Sequence, residues 1–239
     1  DKTVPVAKYY MDKKIYSPVD GTGDIEAIQE RLVQSVEKSL ENRWVNIILF
    51  GYPGCGKGTQ AKKMAEKYNL VYISTGKMLR DEIKRDTEIG RLAKPYMDKG
   101  AIVPDEYAIK LIEDKMQSNP GSRGFIFKGF PRTIVQAYIV DGMLRRKNSN
   151  ITTAIEIKVS SLEAVKRLAL RSKTDKSRLY DMDTEIIVSR LEEYEQKTML
   201  ARDFYEKRNL LHIIDGEGNP DEVFERICKE LEKTLRQAL

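Results

Sequence analysis

Between an apolar run and a helical one lies Tyr52-Pro53-Gly54-Cys55-Gly56-Lys57-Gly58-Thr59, a stretch whose residue types and spacing suit the grip of a phosphate chain. Glycines at 51, 54, 56 and 58 let backbone N–H groups turn inward around anionic oxygens. The N-terminus of the helix that follows adds partial positive charge. Lys57 is placed to reach the β- and γ-phosphates of a nucleoside triphosphate, and Thr59 to offer a hydroxyl beside a bound metal. A glycine-rich turn that binds nothing would have no use for Lys and Thr in those two places. The run before it, Val45-Asn46-Ile47-Ile48-Leu49-Phe50, is β-branched and short enough for a buried parallel strand. Behind it, residues 60–67 carry apolar side chains at helical spacing. Cys55 reads as a small residue filling a loop position. With Cys228 it makes neither a disulfide framework nor a zinc site.

Further groups suited to anions stand at the ends of later strands. Val71-Tyr72-Ile73 runs into Ser74-Thr75-Gly76-Lys77-Met78-Leu79-Arg80, and Gly124-Phe125-Ile126-Phe127 runs into Lys128-Gly129-Phe130-Pro131-Arg132. Arg171 closes a helix, Arg178 lies in a short polar stretch, and Arg190 sits on a long charged helix that continues through Tyr194. The planar guanidinium fork fits phosphate oxygens better than an ammonium does. A single arginine of this kind is ordinarily a solvated surface charge. Five at motif positions (80, 132, 171, 178 and 190) form a pattern.

The elements that must carry these groups can be laid out in order. Strands are predicted over 45–50, 71–73, 124–127, 154–159 and 211–214, alternating with helices. Two helices, over 75–84 and 87–98, fall between the second and third strands, and Pro104 suits the first turn of the next. The last helix sets Val223, Ile227, Leu231 and Leu235 on one face. Five short strands alternating with helices predict an α/β fold, a five-stranded parallel sheet with helices on both faces. Ligands then bind at the carboxyl ends of the strands, where each of these motifs falls.

The loop GYPGCGKGTQ, the segment STGKMLR, the Gly-x-x-Val-Pro turn at 100–104 and GFPRTIVQ at 129–136 make the chain resemble the short-lid adenylate kinases, from about Trp44 to Leu235. The resemblance implies a P-loop nucleoside monophosphate kinase fold with an AMP-binding helical insert over 74–103 and a short lid over 172–182. It implies the reaction ATP + AMP ⇌ 2 ADP. ATP would be held by Gly54, Cys55, Gly56, Lys57, Gly58 and Thr59, with Arg171 and the backbone at Gly218. AMP would be held by Thr75, Arg80, Ala101, Ile102, Val103, Gly129, Phe130, Pro131, Arg132 and Gln136. Lys57, Arg132, Arg171, Arg178 and Arg190 would carry the catalysis, since phosphoryl transfer needs alignment and cancellation of negative charge. Gln136 can pair with the adenine edge through donor and acceptor together. Relatives that prefer pyrimidine monophosphates carry Ala and Asn where this chain has Thr75 and Gln136. The lid, too short and too poor in cysteine for zinc, would close over the phosphates and exclude water.

Two positions depart from that family's pattern. It has Asp after Ser-Thr-Gly and Asp before Gly-Phe-Pro-Arg, where this chain has Lys77 and Lys128. Both aspartates orient waters on the Mg2+ that accompanies ATP. Reversing the charge at each site should weaken magnesium binding, because charges several ångströms apart at an effective dielectric near ~20 interact by a few kcal/mol. No residue here is assigned as a metal ligand. In the lid, Arg-x-Asp-Asp becomes Arg178-Leu179-Tyr180-Asp181. The alternative reading is a nucleotide-binding but catalytically impaired module within a multi-domain adenylate kinase, of the sort that includes ciliary and flagellar members.

Composition sets broader bounds. The 239 residues include 42 Lys and Arg and 37 Asp and Glu, with a formal net charge of +5 and the signs interspersed. No block reads as a nucleic-acid arm or a membrane-surface helix. No apolar stretch approaches the roughly 20 residues of a bilayer span, and no signal peptide is visible. The expectation is a cytoplasmic protein whose partners are ATP, AMP and ADP, without nucleic acid or membrane.

Residues 1–42 carry a second pattern. Shifted by 195 positions, residues 9–40 lie over 204–235 without a gap, and nine of the 32 pairs are identical. These include Tyr10/Tyr205, Asp20/Asp215, Gly21/Gly216, Gly23/Gly218 and Arg31/Arg226. Apolar positions agree as well: Val19 with Ile214, Ile28 with Val223, Leu32 with Ile227, Val36 with Leu231. Both copies read as a short strand, a Gly-x-Gly turn and an amphipathic helix. The expected organisation is therefore residues 1–42 as the tail of a preceding adenylate kinase domain in a tandem repeat, and 43–239 as one kinase domain. Residues 15–40 would lie against that preceding domain or another protein.

Overall fold

The computed structural model describes residues 4–12, 16–41, 44–174, 177, 181 and 183–237. They fall into two units, Asp1–Arg43 and Trp44–Leu239. The first holds helices α1 (Val4–Asp12) and α2 (Ile25–Glu41). The short strand anticipated before the Gly-x-Gly turn is absent from residues 16–20, which adopt no regular structure. An extended segment without a neighbouring strand leaves its backbone groups to water and gains nothing from extension.

In the second unit the apolar runs become β1 (Ile47–Phe50), β2 (Val71–Ser74), β3 (Phe125–Lys128), β4 (Thr153–Lys158) and β5 (Leu211–Asp215). All pair in parallel, in the order β2-β3-β1-β4-β5. The sheet is the one the sequence predicts. Every residue of β1 is buried, as a central strand covered on both faces must be. The helices are α3 (Lys57–Lys67), α4 (Thr75–Lys84), α5 (Glu88–Asp98), α6 (Asp105–Gln117), α7 (Ile134–Arg145), α8 (Ser161–Ser172), α9 (Thr184–Glu193), α10 (Met199–Glu206) and α11 (Pro220–Gln237). A π-helical turn, Tyr194–Thr198, joins α9 to α10.

Strand side chains alternate between two cores. On one face Ile48, Phe50, Phe125 and Phe127 meet Val140 and Leu144 of α7 and Tyr205 of α10. On the other, Ile47, Leu49, Ile126 and Ile155 meet Ala61 and Met64 of α3 and Val223, Ile227 and Leu231 of α11. A third, smaller cluster of Leu79, Ala93, Val103 and Leu111 holds α4, α5 and α6 together. From β1 the chain turns toward β2 and β3, whereas from β4 it turns toward β5. The loops after β1 and β4 therefore diverge and leave a crevice at the carboxyl ends of the strands.

Candidate active site

The loop between β1 and α3 opens on that crevice. Gly54 has φ 93°, and a Cβ there would come within 2.5 Å of the Ala164 carbonyl oxygen on α8. Both the left-handed backbone and the close approach demand glycine. Gly56, at φ 96°, is the residue before α3, so the positive end of that helix faces the loop. Cys55 is buried, its sulfur 3.3 Å from Lys57 Nζ. Lys57 Nζ also donates to the carbonyl oxygens of Gly51 and, at 2.7 Å, Tyr52. Sequestration from water pulls the Lys57 pKa below its ordinary 10.5. The Cys55 sulfur opposes that shift, while the charges of Arg132 and Arg190 add to it. The Lys57 ammonium is thus held by carbonyl acceptors of its own loop.

Strand register builds a second wall. Lys128, the last residue of β3, pairs with Leu49 on β1 and Ser74 on β2, which sets it beside the glycine loop. The next carbonyl, that of Gly129, accepts hydrogen bonds from Thr75 Oγ1 at 2.8 Å and Arg132 Nε at 3.1 Å. Gln136 Oε1 accepts from the Arg132 backbone N–H at 2.7 Å, and its Nε2 donates to Asp105 Oδ1 at 2.5 Å. Thr133 caps α7 by accepting from the Gln136 N–H, which fixes the start of that helix. Phe130 is turned into the core. In the turn after α5, the Ile102 N–H donates to Glu193 Oε1 at 3.2 Å.

The glycine loop and the residues after β3 open on one cavity of about 810 Å³. Of the residues singled out from sequence, 54–59, Arg80, Gly129, Pro131, Arg132, Arg171, Arg190 and Gly218 line it. Thr75, Ala101, Ile102, Val103, Phe130 and Gln136 are not part of its wall; Thr75 and Gln136 bond to residues that are. Arg178 lies outside the described residues. Arg167, which the motifs did not mark, also lines the cavity and donates to the Gly216 carbonyl oxygen at 3.0 Å. Its one signal in the sequence is its place one helical turn before Arg171.

Charge follows from that lining. Among the described residues ten cationic side chains face the cavity, including Lys62, Lys63, Lys77 and Lys128, against the single carboxylate of Glu193. A concave surface of one sign concentrates a polyphosphate. Magnesium needs oxygen ligands, directly or through its waters. Glu193 is engaged with the Ile102 N–H and lies 3.3 Å from Lys197, and ammonium groups occupy positions 77 and 128. Thr59 and Ser74 bring hydroxyl oxygens to the same wall, so the donor set suits phosphate oxygens and offers few oxygens to a divalent cation.

Comparison with known proteins agrees with this geometry. Residues 49–210 match the family model for adenylate kinase. An adenylate kinase of Flavobacterium psychrophilum is 43% identical over 185 residues, covering 77% of this chain and 97% of that protein. One from Flavobacterium johnsoniae is 40% identical over 188 residues, covering 79% and 98%. One from Archaeoglobus fulgidus is 38% identical over 214 residues, covering 79% and 99%. No helix among the described residues is long and apolar enough to cross a membrane. On the glycine loop, the arginine-lined cavity and these matches together, the chain belongs to the adenylate kinase family of phosphotransferases.

Proposed function

We propose that this chain catalyses reversible phosphoryl transfer, ATP + AMP ⇌ 2 ADP. The observation that carries this reading is one cavity lined both by the glycine loop at 54–59 and by Gly129, Pro131 and Arg132, with Arg171 and Arg190 facing the same space. The backbone N–H groups of the loop, Lys57, Arg171 and the backbone at Gly218 hold ATP. Lys57 exchanges the carbonyls of Gly51 and Tyr52 for phosphate oxygens. Thr75, Arg80, the backbone at 101–103, the segment 129–132 and Gln136 hold AMP. An oxygen of the AMP phosphate attacks the γ-phosphorus, the bond to the β,γ-bridging oxygen breaks, and one ADP forms on each side. Arg132, Arg190 and the lid's Arg178 spread the charge of the transferring group, which is where an electrostatic site contributes most.

A second reading, binding with slow turnover, is favoured by Lys77 and Lys128. Magnesium arrives with ATP as part of the substrate, and two ammonium groups at the rim weaken its hold. A coupled assay of ADP formation from ATP and AMP, with and without magnesium, separates the two. Turnover in the range of ordinary enzymes supports the kinase, whereas binding without turnover supports the module. We also read residues 1–42 as the tail of a preceding adenylate kinase domain and 43–239 as one kinase domain, with its insert at 74–103 and lid at 172–182. A cytoplasmic setting, with a ciliary or flagellar one for an array, suits substrates that are free nucleotides.

A further inference from the structure

The first unit repeats the two helices that end the second. α1 and α10 begin 195 residues apart, and so do α2 and α11. Local geometry repeats with them. Tyr9 and Tyr10 meet edge to face, with centroids 5.3 Å apart and planes at 81°; Phe204 and Tyr205 meet at 5.0 Å and 89°. Arg31 Nη1 donates to the Asp20 carbonyl oxygen at 2.6 Å, and its Nη2 donates to that of Thr22. Arg226 Nη1 donates to the corresponding carbonyls of Asp215 and Glu217, at 2.8 and 2.7 Å. Asp20 Oδ1 accepts from the Thr22 N–H, and Asp215 Oδ1 from the Glu217 N–H, both at 3.0 Å. Gly23 and Gly218 both hold left-handed backbone, at φ 111° and 98°.

Burial is what differs. Tyr205 and Ile227 are 0% exposed, while Tyr10 and Leu32, their counterparts, are 43% and 48% exposed. Residues 211–215 form the edge strand β5 beside β4, but the matching residues 16–20 pair with nothing regular. Pro18 stands at the place of Ile213, itself exposed on β5. Proline is confined to edge strands and bulges, so this difference is compatible with an edge position. A helix–segment–helix piece of this size cannot bury enough apolar surface to stand alone.

We propose that residues 4–41 are a docking element for a sheet of the adenylate kinase kind, belonging to a domain upstream on the same polypeptide whose own strands end at the equivalent of β4. This rests on the reading of residues 1–42 given above and adds how the segment binds. Residues 16–20 join that sheet as a parallel edge strand, which supplies partners to their backbone groups. Tyr10 takes the place that Tyr205 takes in the second unit, and Ile28 and Leu32 take those of Val223 and Ile227. A kinase-type sheet is the occupant because the positions kept apolar in the copy are the ones that face the sheet in α11. The second unit's own sheet already has β5 in that place.

The test exchanges one copy for the other within the full chain. Replacing residues 199–236 by the sequence of 4–41 should leave a cooperative melt, with Tm lowered by about 10–20 °C, since volume-conserving core changes are tolerated. Making the same exchange with Tyr10→Asp and Leu32→Asp in the copied sequence should abolish that melt. Loss of cooperativity in the plain exchange overturns the proposal, and so does indifference to the two aspartates. In the unmodified chain, amides of α2 should exchange far faster than those of α11. Equal protection in monomer would mean that α2 is already covered within this chain. Protection that appears with a concentration-dependent dimer in sedimentation would assign the face to a second copy. Either result overturns the proposal. None of these readouts uses turnover, so the ADP assay tests the kinase reading separately.

Discussion

Asp181 holds Arg171 through both carboxylate oxygens, at 2.7 Å to Nε and 2.5 Å to Nη2, with its own side chain fully withdrawn from water. Arg171 closes α8 and Asp181 lies ten residues on, so the pair ties the two ends of the intervening segment together. It uses two of the guanidinium's five N–H donors and leaves the rest for a ligand in the cavity that Arg171 lines.

Asp181→Asn should therefore act on alignment more than on attraction. We expect turnover to fall by about 10–100-fold with ATP affinity changed less than threefold, as when a transition-state charge is misplaced. Steady-state kinetics beside a binding titration checks this; equal losses in both would show that Asp181 serves only the fold.

Lys77→Asp with Lys128→Asp should raise turnover by about 10–1,000-fold and make ATP affinity more dependent on magnesium. Rates measured across a magnesium series read this directly. Ordinary turnover in the unmodified chain would mean that neither ammonium interferes.

A bisubstrate analogue joining two adenosines through five phosphates should bind the cavity. At about 100 times its Kd it should raise Tm by roughly 5–10 °C. Lys57→Met should remove most of that shift, as seen by differential scanning fluorimetry. No shift in the unmodified chain would exclude a nucleotide site.

Lys57 gives a pH dependence with a defined sign. Its folded pKa is lowered by sequestration, while the unfolded chain keeps about the ordinary 10.5. Between the two values the unfolded state binds more protons, so this group's contribution to stability rises with pH across that window. Phosphate restores the ammonium, so nucleotide binding takes up protons there and weakens as pH rises. Titration calorimetry in buffers of different ionisation enthalpy should detect the uptake, and Lys57→Met should lose it.

The two copies predict unequal responses to one substitution. Tyr205→Ala removes a fully buried ring that packs on Phe50 and bonds Asp141 at 3.4 Å, and should cost about 3–5 kcal/mol. Tyr10→Ala, at a half-exposed position, should cost under about 1 kcal/mol. Denaturant melts of both variants decide it.

The sheet could be read from sequence because each strand is a short apolar run ending in a glycine or polar motif. Parallel strands buried on both faces need nothing subtler. Some relationships could not be read this way. Asp105 and Gln136 lie 31 residues apart and meet only because α6 and α7 flank the same sheet. Arg167 carries no motif and reaches the cavity through helix phase alone. α1 was hidden for a different reason: Val4–Asp12 is apolar on several sides and has no buried residue, so it lacks the one-sided stripe that marks a packed helix. Residues 16–20 show the reverse, since their β-like pattern needs a neighbouring strand and none pairs with them among the described residues.

The π-helical turn Tyr194–Thr198 lets one long helical run present two faces set at different angles. It separates α9, whose Arg190 faces the cavity, from α10, whose Arg202 is anchored to Glu156 at 2.9 Å and whose Phe204 packs on Tyr138 of α7. Each α-helical residue advances the face by about 100°, so a deletion in an unbroken helix would swing Arg190 away from the cavity whenever the far end stayed packed. The wider turn resets that phase, so α9 aims Arg190 into the cavity while α10 keeps Arg202 on Glu156.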